Sequence, residues 1–455
     1  MLTLATLLFV APAAQQDIYV QTVSQAPSPG KVTQHARYTE TFSTGWELDP
    51  QGRKQGVRYH HPSGSSLVTK LALGAFTPGG ESAGLGVNVG GQVVGWAEDL
   101  VGGAALRRPF VFDDANGLQL IDLPPGAQGW ATGVAIFGHS AAGTMRRADG
   151  SLQAWWVDLW PSLTPAVALA TPPGWESEAL VMRQDNGLAP LLIGGLVRSP
   201  AGREFAAFWG GGGPVTILPT PGTGDARLTG LSSHHSGDVS GYILDAAGHE
   251  QGFLLNLADP VNSFVSLPSL GGAWTRPTGM DNVSVYGAAE DAQGRSRAFQ
   301  FFLDGQVMVD LNDRASVPPG AVLTEMTSSQ FGVPMSFDLE VGGVTYGAFA
   351  RKVVSNVWPL QSGAPTTLTL AEGPAQSIAA FICGFTGGAV PVPGIPGLIL
   401  DIAQPLILTV GVTDSAGGFA HTLPVPAAAA GLTVLFQAVV PDHSITTGVN
   451  TVTFQ

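Results

Sequence analysis

Residues 82–100 read SAGLGVNVGGQVVGWAEDL, and this stretch decides the fold. Small and apolar residues alternate in two runs, the glycine-rich NVGGQ lies between them, and no charged residue occurs before Glu98. Alternation with period two is typical of β-strands, and glycine supplies the positive φ that tight turns require. The stretch therefore predicts a strand, a turn and a second strand.

Related stretches recur along the chain at a nearly constant interval. Successive differences are 49, 47, 48, 48, 49 and 49 between the Pro-Gly or Gly-Gly steps at Gly30, Gly79, Gly126, Gly174, Gly222, Gly271 and Gly320. A second glycine series follows in turn sequences such as DPQGRK, RADGSL and DAQGRS. After each of these turns comes an apolar strand, and then a third short apolar run.

A repeat of about 48 residues with three or four short strands is the signature of a β-propeller blade. Seven units predict an all-β, seven-bladed β-propeller over residues 15–355, with six or eight blades as alternatives because the first unit is irregular. The segment at residues 15–29 is predicted to close the ring by pairing with the last blade, because closure removes exposed edges. Aromatic residues that recur after the second turns are predicted to pack in the core, at Phe110, Trp155, Phe208, Phe253, Phe299 and Phe349.

These units resemble the bacterial extracellular repeats named after a His-Ala-Phe tripeptide, the HAF repeats. The family's Asn-x-x-Gly-Gln-x-x-Gly turn is matched by NVGGQVVG at residues 88–95, and its last repeat by residues 309–312, 318–320 and 323–325. The resemblance covers about residues 30–354, and the His of the tripeptide is replaced by Arg, Gln, Ala or Gly. It implies an extracellular repeat β fold and no catalytic residue.

The composition changes after Lys352, because neither Lys nor Arg occurs from residue 353 to 455. Short alternating strands with Pro and Gly turns follow there, a pattern typical of a sandwich. We expect a linker at residues 356–363 and a small C-terminal β-sandwich at residues 364–455. This tail resembles the β-sandwich modules at the C-termini of secreted planctomycete and myxobacterial proteins.

The N-terminus and the overall charge indicate an extracellular protein. Residues 1–14 combine an apolar run with Ala-Pro-Ala-Ala and are predicted to be a signal peptide, although no Lys or Arg precedes the run. No other segment is apolar enough to span a membrane. The net charge of −14 argues against nucleic acid as a partner. The single cysteine, Cys383, is expected to be a buried core residue.

Candidate metal ligands are few, and no metal or cofactor is predicted. The adjacent pairs His60-His61 and His234-His235, the latter near Asp238, point to opposite faces of a strand and cannot reach one ion there. The acidic run at residues 113–117, DDANG, fits a hairpin turn better than a calcium loop.

Catalytic signatures are also missing, because the sequence contains no sialidase repeat, GxSxG elbow or HExxH motif. Three tryptophans follow the glycine anchors and are predicted to lie at a loop rim, where exposed rings stack on sugars: Trp130, Trp175 and Trp274. The predicted function is a monomeric, non-enzymatic binding protein, secreted or on the cell surface, whose propeller face holds a polysaccharide or protein. The alternatives are a polysaccharide hydrolase or lyase with convergent acids, His or Arg at the axial mouth, and a structural surface component.

Overall fold

The computed structural model divides the chain into two compact units. The repeat unit comprises Val20–Asn312 and Val317–Ala350, and the C-terminal unit comprises Arg351–Gln455, Asp313–Ser316 and the residues up to Tyr19. The structure describes residues 18–22, 29–37, 41–61, 68–101, 103–135, 139–160, 162–183, 191–232, 237–317, 320–329, 335–393, 395, 398–443, 445–447 and 449–455. The predicted signal peptide at residues 1–14 lies outside these residues, as do His234 and His235.

Among the described residues up to 352, the regular elements are β-strands apart from one short 3-10 helix at Leu311–Asp313. The strands of the first three repeats are β1 (Ile18–Thr22), β2 (Gly30–Arg37), β3 (Thr41–Leu48), β4 (Lys54–His61), β5 (Thr69–Ala72), β6 (Ser82–Val87), β7 (Val93–Val101), β8 (Ala104–Asp113), β9 (Gly117–Leu120), β10 (Gln128–Val134), β11 (Ser140–Arg146), β12 (Leu152–Asp158) and β13 (Val167–Ala168). The strands of the later repeats are β14 (Glu176–Arg183), β15 (Leu192–Arg198), β16 (Glu204–Gly210), β17 (Val215–Ile217), β18 (Ala226–Leu231), β19 (Asp238–Leu244), β20 (Glu250–Asn256), β21 (Val265–Ser266), β22 (Gly271–Met280), β23 (Ser284–Asp291), β24 (Ser296–Phe302), β25 (Val307–Asp310), β26 (Ala315–Ser316), β27 (Ala321–Ser329), β28 (Met335–Val341) and β29 (Val344–Lys352).

These strands form a succession of sheets, one for each repeat. The strands within each of the first six sheets are antiparallel, whereas β1 and β26 of the last sheet pair in parallel. From β2 to β25, each set of four consecutive strands forms a sheet whose spatial order equals the chain order. The last sheet has the order β26-β1-β29-β28-β27. The first strand of each sheet contacts the first strand of the next, and β2 also contacts β27 and β28. The predicted all-β class and its short repeated strands are therefore confirmed, and the first strands lie together at the centre of the unit.

The opening stretch forms β6, a turn and β7, as predicted. The turn is closed by Asn88, whose Oδ1 accepts from the backbone N–H groups of Gly90 and Gln92, each at 3.0 Å. Its Nδ2 donates to Gln92 Oε1 at 2.8 Å, and Gly91 adopts φ +76°. The Asn-x-x-Gly-Gln motif therefore has a structural role, since its polar side chains satisfy the backbone of the turn.

Glycine in the second strand lets two strands approach closely beside a β-bulge. A Cβ built on Gly95 would overlap the carbonyl oxygen of Ala83 in the neighbouring strand, so no larger residue fits without backbone movement. Glycines at the same register of other sheets make the same close approach to a first-strand carbonyl: Gly45, Gly143, Gly195, Gly241 and Gly287. This requirement explains part of the high glycine content.

The recurring aromatic residues pack where sheets meet. Phe110, Trp155, Phe253 and Phe299 are fully buried, as the sequence predicted, and Phe349 is nearly so. Phe208 differs, because it is half-buried while the next residue, Trp209, is fully buried in the core of that repeat. In this sheet Ala207 pairs with Gly195 at the register that the aromatic residue takes in other sheets, so Phe208 lies on the opposite face from Trp209 and packs against the core of the next repeat.

The described part of the C-terminal unit also consists of β-strands apart from short 3-10 helices at Ala427–Ala429 and Pro441–His443. Its strands are β30 (Val354–Trp358), β31 (Pro365–Ala371), β32 (Ile378–Gly384), β33 (Thr386–Pro391), β34 (Ile399–Ala403), β35 (Leu406–Val412), β36 (Phe419–Pro424), β37 (Thr433–Val440), β38 (Ile445–Thr446) and β39 (Asn450–Thr453). They form sheets β30-β31-β36, β35-β32-β37-β38 with β39 on β37, and β33-β34.

A core that includes Leu368, Phe381, Phe436 and Val440 contains residues from the first two of these sheets. Cys383 is buried as predicted, and burial raises the pKa of its thiol. The predicted linker at residues 356–363 overlaps β30, which pairs with β31 of this unit. The domain boundaries inferred from composition stay predictions.

Candidate functional site

A cavity of about 280 Å³ lies at the centre of the repeat unit. Seven of its lining residues share one property, because each is the extra residue at a β-bulge in the first strand of its sheet. They are Thr33, Leu85, Thr132, Leu180, Thr229, Thr278 and Thr327. We call this set the bulge ring. The bulge turns one side chain of every repeat towards a common space.

Four threonines of the bulge ring join neighbouring sheets. The hydroxyl of Thr33 donates to the carbonyl oxygen of Gly84, and that of Thr229 to Pro277, each at 2.8 Å. Equivalent bonds run from Thr132 to Ala179 at 2.8 Å and from Thr278 to Met326 at 2.5 Å. These hydroxyl groups therefore hold neighbouring sheets together, and this role does not depend on a ligand.

The rest of the cavity wall mixes apolar and polar groups. Leu231, Met182 and Met280 supply apolar surface, and Gln34 and Arg183 supply polar groups. Burial lowers the pKa of the Arg183 guanidinium to about 10, so the group stays charged at neutral pH. A small-ligand site likewise combines apolar surface with placed polar groups, although the polar share is larger here, since five threonines and Asp281 also line the cavity.

A second ring of residues lies two positions before the bulge ring. It consists of Lys31, Ala83, Trp130, Glu178, Arg227, Arg276 and Glu325. We call this set the rim. Five of its members are charged, whereas the two from the second and third repeats are not. None of the seven lines the cavity.

Lys31 of the rim is held between two carboxylates of the last sheet. Its Nζ lies 2.8 Å from Asp338 Oδ2 and 3.1 Å from Glu325 Oε2. Burial raises the pKa of the Asp338 carboxyl to about 6, against the attraction of Lys31, and the charge of Glu325 adds to the rise. The attraction of both carboxylates outweighs the desolvation of Lys31 and raises its pKa. This cluster joins the first and last sheets.

The other rim charges also lie in ion pairs. Arg227 Nε lies 2.6 Å from Glu204 Oε2, and Arg198 Nη2 lies 2.6 Å from Glu204 Oε1. Arg276 bridges Glu250 at 3.5 Å and Glu325 at 3.6 Å. Acids and arginines therefore do converge near the centre of the unit, but each acid named here has a cationic partner.

The three candidate tryptophans are each half-buried and occupy different repeats. Trp175 packs against the core of its repeat and its ring contacts Phe205 at 5.4 Å between centroids. Trp274 lies beneath the guanidinium of Arg276, 5.9 Å from the ring centroid. Trp130 belongs to the rim. The described residues show no contact that brings the three side chains together.

The histidine pair in β4 points in two directions, as expected for adjacent strand residues. His60 stacks on Phe42 with centroids 4.7 Å apart, and His61 stacks on Phe349 at 4.0 Å. His61 Nε2 also lies 2.8 Å from Ser43 Oγ. In the described part of the chain, no group of three or more His, Cys, Asp or Glu side chains could hold a metal ion.

The bulge ring and the rim were not identified from the sequence. A signal was available, because the bulge-ring positions recur at intervals of 52, 47, 48, 49, 49 and 49 residues. It is a weak signal, since the residue is Thr in five repeats and Leu in two, and a bulge has no fixed sequence signature.

Comparison with known proteins gives limited similarity. No protein-family model matches the chain, and no curated protein matches it. In the described residues no helix is long and apolar enough to cross a bilayer.

Solved structures with some similarity are those of other β-rich proteins and peptidases. The β-propeller domain of the Trilobed protease from Pyrococcus furiosus is 7% identical, with a TM-score of 0.45 over 71% of this chain and 95% of that domain. A puromycin hydrolase is 10% identical, with a TM-score of 0.43 over 63% of this chain and 54% of the hydrolase. Trypanosoma rangeli sialidase is 9% identical, with a TM-score of 0.36, and the shares covered are 93% and 86%.

The chain thus spans about half the length of the puromycin hydrolase. Sequence identities and TM-scores this low do not allow an activity or a substrate to be assigned to this protein.

Proposed function

We propose that the repeat unit is a seven-bladed β-propeller and that the C-terminal unit is a small β-sandwich. Seven successive sheets, first strands that contact in chain order, and the contact of β2 with β27 and β28 support the propeller. The place of β1 beside β29 supports ring closure by the N-terminal strand. The HAF-repeat resemblance and the apolar residues at 2–10 support a secreted or surface location.

On this fold we propose a non-enzymatic binding function, with an extracellular polysaccharide or protein as the ligand. The observation that carries the proposal is the central cavity of about 280 Å³, to which every repeat contributes a residue of the bulge ring. Its size suits one sugar unit or one side chain of a larger ligand. A general acid or base needs a carboxyl group within reach of the substrate, and Asp281 is the acid that lines the cavity. Its Oδ1 accepts from the backbone N–H groups of Val283 and Ser284 and from the Ser284 hydroxyl, a turn-stabilising role that supports binding over hydrolysis.

The test is ligand binding by the full chain and by a variant with a filled cavity. Leu180→Trp places a large ring in the bulge ring, and Ile217→Trp places the same ring on the exposed outer strand of the same sheet. We expect saturable binding to at least one member of a panel of extracellular polysaccharides and proteins. Leu180→Trp should abolish it, and Ile217→Trp should leave it unchanged.

Two results would count against this proposal. If Leu180→Trp still binds every panel member that the wild type binds, no ligand occupies the cavity. Shortened products after incubation with a polysaccharide would favour the hydrolase or lyase alternative, for which the carboxyl groups of Asp338 and Glu325 are the first candidates to replace.

A further inference from the structure

Trp130 differs from the other two candidate tryptophans in the contacts that its ring makes. Its side chain is half-buried, and among the described residues it makes no ring stack, cation–π contact or side-chain hydrogen bond. It also packs in none of the hydrophobic clusters of its repeat or the next. A large aromatic side chain normally stacks or bonds when it is partly buried, so a partly exposed ring without such a partner at the rim is a candidate contact surface.

The residue of the next repeat at the same rim position is Glu178. The two first strands are joined beside these residues, since Thr132 Oγ1 donates to the carbonyl oxygen of Ala179 at 2.8 Å. Thr144, which pairs with Trp130 across the sheet, accepts at its Oγ1 from the N–H of Ala179 at 3.1 Å. The backbones on either side of this pair are therefore fixed against each other by two hydrogen bonds.

Only one oxygen of Glu178 is engaged. Arg198 Nη2 donates to Oε1 at 3.3 Å, and no described residue contacts Oε2 within hydrogen-bond distance. Burial raises the pKa of this carboxyl against the attraction of Arg198 and Arg227. A carboxylate oxygen without a protein donor is a ready acceptor for a hydroxyl group.

We propose that Trp130 and Glu178 form a binding site for a neutral sugar, separate from the central cavity. The apolar face of a pyranose ring stacks on the indole of Trp130, and one hydroxyl of the same sugar donates to Glu178 Oε2. This inference goes beyond the proposed function, because it adds a second site at the rim that takes a neutral sugar whether or not a ligand occupies the central cavity.

The charges nearby favour a neutral sugar over a charged one. Glu176, Glu178 and Glu204 face Arg198 and Arg227, so the net charge of the group is about −1 and most of it is already paired. A uronate or sulfated sugar would be repelled by the remaining charge. A cationic ligand would find a weak field, because the guanidinium groups offset the carboxylates.

The experiment measures binding of the full chain to neutral hexasaccharides of glucose, mannose and galactose by calorimetry and by tryptophan fluorescence. Trp130→Ala should weaken binding by roughly tenfold or more, and Trp130→Phe should weaken it less because a ring remains. Glu178→Gln should weaken it by roughly threefold to tenfold. The matched controls Trp175→Ala and Trp274→Ala should leave it unchanged, and circular dichroism checks that each variant is folded.

The results separate this inference from the cavity proposal. Hexasaccharide binding that is lost in Trp130→Ala and kept in Leu180→Trp supports the rim site. Binding that is kept in Trp130→Ala, or lost equally in Trp175→Ala, overturns it. Absence of binding to all three hexasaccharides also overturns the rim site. Preferential binding of a quaternary ammonium compound does the same. A protein ligand in the cavity would still be tested by the cavity experiment.

Discussion

The repeat requires glycine at residue 95, because the absence of a side chain lets β6 and β7 approach each other beside the bulge. A Cβ there would overlap the carbonyl oxygen of Ala83. We expect Gly95→Ala to lower the free energy of unfolding by about 1–3 kcal/mol, the usual cost of overpacking. Urea unfolding followed by tryptophan fluorescence measures the change.

Gly210→Ala is the matched control for this substitution. Gly210 is the last residue of β16 in the repeat unit, and a Cβ built there meets no atom within 4 Å. The control should unfold at nearly the wild-type urea concentration. Equal stabilities for the two alanine variants would contradict the close approach seen at Gly95.

Asp338 is expected to make the free energy of unfolding fall as the pH rises. The pKa of its carboxyl is raised from 3.8 to about 6, so between these pH values the folded chain holds a proton that the unfolded chain has lost. Its contribution to stability is therefore present at low pH and is lost as the pH rises through this window. The shift corresponds to about 3 kcal/mol at most.

Asp338→Asn removes this titration, so the variant should gain stability relative to the wild type between pH 4 and pH 7. Urea unfolding at pH 4, 5, 6 and 7 measures the difference between the two proteins. Asp304→Asn, at an exposed turn, controls for the loss of one negative charge. A difference between wild type and Asp338→Asn that does not change with pH would refute the raised pKa.

At the scale of strands and sheets, the bonds from threonine hydroxyls to the next sheet give a direct prediction. Thr229→Val keeps the shape of the side chain but leaves the carbonyl oxygen of Pro277 without its donor. We expect a loss of about 1 kcal/mol in the free energy of unfolding. Thr216→Val, on the exposed outer strand β17, is the control and should change little. Equal effects would mean that the bond contributes nothing.

The strands were largely predictable from the sequence, whereas the site was not. Alternating residues and glycine turns predicted β6 and β7, because both signals are local. The bulge at Leu85 was not predicted, since it depends on the register between two strands. The sequence predicted Trp130 only as one of three tryptophans at a loop rim that could stack on sugars. What distinguishes it is that its ring has no stacking, cation–π or hydrogen-bond partner among the described residues, and such contacts depend on residues distant in sequence.

At the scale of the whole molecule, two separate cores predict two unfolding events. The core around Phe381 contains only residues of the C-terminal unit, and the core around Phe299 only residues of the repeat unit. We expect two transitions in calorimetry. Phe381→Ala should lower the temperature of one transition and Phe299→Ala that of the other, each by removing about 3–5 kcal/mol. A single transition that both variants shift equally would contradict this independence.

The C-terminal unit is built entirely without lysine and arginine after Lys352, and this affects how the protein responds to a protease. Trypsin cleaves after these two residue types, so residues 353–455 contain no bond that it can cut, whether the unit is folded or unfolded. Digestion should reduce the repeat unit to short peptides while the last 103 residues of the 455 persist as one fragment. Gel electrophoresis would then show a single resistant band of that length, obtained without any engineered cleavage site.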